Sequence, residues 1–248
     1  MKGRIKDLAT ILNCHPYSDS SLIIKAFCPR LGNISIIAKC WRKAQNKSPL
    51  QTLHEYELTL YEPSGGELYL LYEASLVTER LFPNPKLLST ALSGAELMAN
   101  LILSSDEYAA YYQLLRDYTG YLQGLAGEPI PIFWRMLLRV MKLQGIGLDL
   151  QHCQICGRAA SPGAYLKRDA SLVCRECRKV PPAQTVNLSP EAKDILQNLP
   201  HIGNQLHTLQ LSKQVVQELN RFLLFYYQAH THQKIKLKSL GVLEQLYS

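Results

Sequence analysis

The runs HEYELTLYE (residues 54–62) and ELYLLYEASLV (67–77), joined by PSGG (63–66), decide the first third of this 248-residue chain. The first run alternates polar and apolar side chains, which is the two-residue period of a strand with one buried face. Proline, serine and two glycines suit a backbone reversal, so the second run is expected to pair back on the first as a hairpin. Three upstream runs have the same character: RIKDLATIL (4–12), SSLIIKAFC (20–28) and NISIIAKC (33–40). His15-Pro16 separates the first two, and Pro29-Arg30-Leu31-Gly32 the second two. Five short strands without intervening helices predict a small closed barrel of the OB type over residues 1–80, not a parallel sheet.

Beyond Pro83 and Pro85 the period changes. Leu88, Ala91, Leu92, Ala95, Ala99 and Ile102 recur at three- and four-residue spacing, which predicts a helix over 87–103. Further helices are expected over 106–122, with Ser105 as its cap, and over 130–143. Ser189-Pro190-Glu191 reads as a helix start with proline in the first turn. Ser212 opens a long final helix to about Gln228.

Cys153-Gln154-Ile155-Cys156 and Cys174-Arg175-Glu176-Cys177 form a C-x2-C-x17-C-x2-C pattern. Two thiolates per tight turn can reach one ion, and two such turns complete a tetrahedral shell that suits a structural zinc. Gly157 fits the sharp turn after the first pair. Four unrelated buried thiols and a redox pair are the competing readings; no βαβ context supports the second. His152 is read as an exposed neighbour, His230 and His232 as a solvated helix end, and Cys14, Cys28 and Cys40 as small core residues. The fold expected is α+β: a five-stranded OB-type β-barrel, then an all-helical domain over 81–248 with a four-cysteine zinc knuckle inserted at about 150–180.

Hydrophobic residues make up 47% and charged residues 19%, which excludes a disordered chain. No run resembles a membrane span, and the opening MKGRIKDLATILNC is too short and too interrupted for a signal peptide, so a cytoplasmic location is expected. Between Met1 and Leu50, nine Lys and Arg residues face only Asp7 and Asp19, an excess equal to the net +7 of the whole chain. A second basic stretch surrounds the cysteines with Arg158, Lys167, Arg168, Arg175, Arg178 and Lys179. Such clusters attract polyanions, nucleic acid before anionic membrane; a merely soluble basic surface is the alternative.

The loop from Lys39 to Pro49 joins Lys39, Arg42, Lys43 and Lys47 to Trp41. Cations can track phosphates while the ring stacks on a base, or the ring can pack on the barrel. Lys2, Arg4, Lys6 and Arg30 would extend the grip. No phosphate-cradling glycine loop, nucleophile elbow or zinc-protease motif occurs. A dispersed site built on carboxylates such as Asp7, Asp19, Glu55 and Glu57 would make the chain a DNA-processing enzyme, and a zinc-ribbon adaptor or regulator working through protein contacts is a further alternative.

Taken in order, the segments resemble the bacterial RecO family of recombination mediators. HPYSDSSLII (15–24) is similar to the family's YGESDLLV segment, and LGNISIIAK (31–39) to the strand before its basic loop. Ser48-Pro49-Leu50-Gln51 with Tyr56-Glu57-Leu58 resembles its LQP and EL stretch. GIGLDLQHCQICG (145–157) resembles the approach to its cysteines, and KIKLKS (234–239) its closing LKS. Cys40 and Trp41 stand where small residues are usual, and Asp149 where proline is frequent. The resemblance implies a non-catalytic, nucleoid-associated protein that binds single- and double-stranded DNA and anneals strands. It also implies contact with the C-terminal tail of single-strand-binding protein (SSB) and work with RecR to load RecA. An acidic tail ending in an apolar residue needs cations beside an apolar slot, for which Arg116, Arg135, Arg139 and Lys142 are the candidates.

Overall fold

A computed structural model describes residues 3–42, 49–63, 65–159, 163–179 and 184–248. Two compact units divide at Gly124, so the first holds two helices beyond the residue 80 at which the strand pattern ends.

In the first unit, β1 (Arg4–Pro16), β2 (Leu22–Cys28), β3 (Gly32–Ala38), β4 (Glu55–Tyr61) and β5 (Leu68–Thr78) form a closed barrel. Its order is β1-β2-β3-β5-β4, with β4 returning to β1. β1 is long enough to serve two neighbours: Arg4 to Thr10 face β4, and Thr10 to Pro16 face β2. A register shift between Ile11 and Asn13 bends it from one to the other. β4 and β5 form the expected antiparallel pair, and the parallel pairing of Ser35 with Leu68 closes the circuit. Alternate residues fill the interior, with Ile11, Ile24, Ile36 and Leu60 fully buried. Cys28 belongs to this core and Cys14 packs against it. Cys40 does not: it is exposed at φ 56, where a left-handed turn ends β3.

Asn84 caps α1 (Pro85–Asn100) through Lys86 N at 2.8 Å, with Pro85 at the first helical position, so the helix starts before residue 87. Ser105 does not cap α2 (Tyr108–Gln123). The Glu107 carboxylate instead accepts from Ser104 N at 2.8 Å and Ser104 Oγ at 2.6 Å, closing a turn ahead of the helix.

The second unit contains α3 (Ile130–Leu143), α4 (Pro190–Asn198), α5 (Lys213–Thr231) and α6 (Lys238–Gln245). Ser189 and Ser212 cap α4 and α5 as expected. The domain is not wholly helical, because β6 (Ala164–Leu166), β7 (Leu172–Val173) and β8 (Thr185–Asn187) form a small sheet in the order β7-β6-β8. Nor is α5 the last helix. Its chain turns at His232, and α6 follows with Leu240 and Leu243 buried. Asn220 ties three helices together, accepting from Trp134 Nε1 at 2.7 Å and donating to Glu244 at 2.8 Å. No helix among the described residues is long and apolar enough to cross a membrane.

Candidate metal centre and nucleic-acid interface

Two turns of like construction carry the cysteines. Gly157 N donates to Cys153 O at 2.8 Å and Arg178 N to Cys174 O at 3.1 Å, so each C-x2-C pair lies within one turn. Gly157 has φ 68, which glycine adopts without strain. The small sheet positions the second turn, since Cys174 directly follows β7. The four Sγ atoms lie within 4.8 Å of one another, and those of Cys156 and Cys174 are 3.9 Å apart. Four sulfurs about 2.3 Å from one ion would stand about 3.8 Å apart, so the cage fits a metal ion.

Burial opposes ionisation of Cys153, but the N–H groups of Cys174, Cys156 and Ile155 outweigh it and bring the thiol down to about 6. Cys177 moves up to about 12, chiefly through its hydrogen bond with Cys156 and then through burial. His152 stays outside the cage, exposed, with Nδ1 2.9 Å from Asp149 Oδ2. Arg158, Lys167, Arg168, Arg175 and Arg178 are exposed around the centre. Of these Arg168 pairs with Asp169 at 2.8 Å.

On the barrel, the candidate cations have different surroundings. Arg4 donates to Tyr61 Oη at 2.9 Å and lies 4.0 Å from the ring centre of Tyr72. Lys6 stands 3.4 Å from Glu57, both well exposed, a pairing that contributes little. The Arg30 guanidinium is engaged by Asp7 at 3.3 Å and by the Lys6 carbonyl, although its side chain is largely exposed. Arg42 reaches back to Ser18 O at 2.8 Å, and its N–H donates to Ser20 O at 3.0 Å. Lys39 is exposed. Lys2, Lys43 and Lys47 lie outside the described residues.

Trp41 takes the second of its two expected places, packed on the barrel. The turn at Cys40 sends its ring into the barrel core beside Leu50 and Tyr56, where it is 6% exposed. A ring so covered has no face to offer a base. Three of the four carboxylates named for a dispersed site have partners of their own: Asp7 holds Arg30, Glu57 faces Lys6, and Glu55 is buried between Tyr112 and Arg116.

Strand register reveals a cation that the loop-centred reading passed over. Ile24 and Ala26 point inward at 0% exposure, so Lys25 points outward. Lys25 is paired with Asn13 and Ser35, and the neighbouring row holds His15, Ile23 and Ile37. No carboxylate occurs between Asp19 and Glu55. The outer face of β2 and β3 therefore carries one cation, Lys25, with half-exposed Ile23 and Ile37 near it and the exposed Lys39 in the turn that follows β3. A lone lysine in a strand gives no signal until the register is known.

In the second unit, Arg135, Leu138, Arg139 and Lys142 share one face of α3, at the three- and four-residue steps of a helix. They line a cavity of about 540 Å³ with Leu148, Leu150 and Pro200. Gly145, at φ 73, builds the opposite wall by turning the chain back: its N–H donates to Lys142 O at 3.1 Å, and Ile146 N to Met141 O at 2.9 Å. The Asp149 carboxylate on that wall is occupied by Gln151 N at 2.8 Å and by His152, which hold it below the usual carboxylate range. Arg116 is not part of this cavity; it belongs to the first unit and stands beside Glu55.

Residues 1–80 match the family model described as Recombination protein O N terminal, and residues 84–240 that described as Recombination protein O C terminal. The DNA repair protein RecO of Clostridium kluyveri is 25% identical over 255 residues, covering 98% of this chain and 94% of that protein. The proteins of that name from Sodalis glossinidius and Pectobacterium atrosepticum are 31% and 32% identical, each over 58% of this chain. Those two alignments span only 56% and 59% of the relatives' own lengths. The two family models leave little of the sequence unmatched, and the chain belongs to the recombination protein O (RecO) family.

Proposed function

We propose that this chain is a recombination mediator in DNA repair, which binds single- and double-stranded DNA on the barrel and anneals complementary strands. It takes the C-terminal tail of SSB in the α3 cavity and, with RecR, assists RecA loading in the cytoplasm at the nucleoid. The observation that carries this reading is the outer face of β2 and β3, where Lys25 on β2 and Lys39 in the turn just after β3 accompany Ile23 and Ile37, with no carboxylate on either strand. Lysines there contact phosphates by displacing counterions, while half-exposed aliphatics cover sugars and bases without reading their edges. Binding of this kind is independent of sequence, as a strand-pairing protein requires.

The α3 cavity supports the second contact. Arg135, Arg139 and Lys142 complement an acidic tail, and Leu138, Leu148 and Leu150 suit its apolar end. Four cysteines at this spacing favour zinc over harder ions. With four thiolates the ion has no open position, so its part is to hold the knuckle together, one zinc per chain. The protein acts by holding strands and partners and makes or breaks no covalent bond.

The test is annealing of labelled complementary oligonucleotides, bare and coated with SSB. The full chain accelerates both, and Arg135→Ala with Arg139→Ala loses acceleration only on the coated strands. A chain that anneals neither substrate refutes the reading.

A further inference from the structure

We infer that the segment from His232 to Lys238 is a second track for a nucleic-acid backbone, on the C-terminal unit; this rests on the reading of the chain as a strand-annealing protein and adds the site for the other strand. α5 ends where His232 turns at φ 57, its N–H donating to Gln228 O at 3.0 Å. From there to Ser239 exposure alternates: His232, Lys234, Lys236 and Lys238 are exposed, whereas Gln233, Ile235, Leu237 and Ser239 are half-buried. Between the left-handed His232 and the start of α6 at Lys238, such alternation belongs to extended chain, in which every second side chain, here Lys234 and Lys236, shares a face at a repeat of about 6.6 Å. At that spacing neighbouring lysines can each meet a separate phosphate of one strand.

Three features favour nucleic acid as the occupant. No carboxylate occurs from Leu219 to Leu243, so nothing along the strip competes for its lysines. Among the described residues, none of Lys234, Lys236 and Lys238 has an ion-pair partner. Ile235 and Leu237 are half-buried, so the strip presents no fully exposed large apolar side chain for insertion into a bilayer. At the head of the strip, His230 stacks on Tyr226 at 4.1 Å, and Tyr226 Oη donates to Gly147 O at 3.5 Å, which anchors the end of α5. Annealing requires one protein to hold two strands; the barrel face takes one and this track the other.

The experiment titrates the full chain with a labelled thymidine oligomer over a salt series, comparing Lys234→Gln/Lys236→Gln/Lys238→Gln with Lys25→Gln/Lys39→Gln. Neutralising the strip should flatten the plot of log affinity against log salt by about 2 units, at about 0.7 per lost phosphate contact. It should also slow annealing several-fold while melting temperature and metal content stay as in the parent. A slope and annealing rate equal to the parent's overturn the inference, as does binding to phosphatidylglycerol vesicles in place of the oligomer. If only the barrel variant loses slope, the strip fails and the barrel reading stands. If only the strip variant does, the reverse holds.

Discussion

Arg116 Nε stands 3.1 Å from Oε1 of Glu55, a carboxylate whose side chain is 1% exposed. Tyr112 Oη donates to the same oxygen at 2.6 Å and Thr78 Oγ1 to the other at 3.0 Å, so one buried charge fastens α2 and the end of β5 to β4. Burial and the bond to Glu55 push the Tyr112 hydroxyl far above its usual range, keeping it a donor at any physiological pH. Tyr112→Phe removes a donor from a carboxylate that water cannot reach, and should cost about 1–3 kcal/mol in urea unfolding. Arg116→Lys should lower stability while leaving affinity for an acidic tail peptide unchanged; a loss of peptide binding by a folded variant would return Arg116 to the tail site.

Trp41 is expected to act through stability. Trp41→Ala empties a buried site in the barrel and should destabilise the chain by about 3–5 kcal/mol. Trp41→Phe should largely restore the fold and bind a single strand as the parent does. A stable Trp41→Phe protein with a large loss of single-strand affinity would show that the ring contacts bases after all.

For the metal centre, binding free energy should appear as folding free energy, because the cage exists only in the folded knuckle. Elemental analysis should find one zinc per chain. Chelation should lower the thermal transition, and Cys174→Ser should be poorly soluble. A metal-free preparation that unfolds at the same temperature would contradict a structural role.

The α3 cavity offers a sharper mutational contrast. Arg139→Ala should weaken binding of an acidic peptide with an apolar C-terminus by at least tenfold, about 1.4 kcal/mol, and leave thymidine-oligomer binding alone. Equal loss for both ligands would mean that the cavity is a general polyanion site.

The sequence made the barrel legible because five strands repeat a strong alternation between turn residues, and it made the knuckle legible because cysteine spacing is set by coordination geometry. It was weak wherever an element is too short to show a period. Ala164-Tyr165-Leu166 is buried throughout, and α6 buries only Leu240 and Leu243. Surface function depended on register and tertiary position. Lys25 became visible only when Ile24 and Ala26 were seen to point inward. Arg116 looked like Arg135 until Glu55 was found beside it, and Trp41 beside four cations looked like a stacking platform until the turn at Cys40 buried it.

Salt-dependent binding of a single strand by Lys25→Gln/Lys39→Gln tests most directly whether the outer face of β2 and β3 is the primary DNA surface. Neither side chain is in the core, so the variant should fold and keep its metal. Its slope of log affinity against log salt should be flatter than the parent's by about 1.4 units, two phosphate contacts at about 0.7 each, and equally so for oligomers of different base composition. A folded, metal-loaded variant with the parent's slope and affinity would contradict the account.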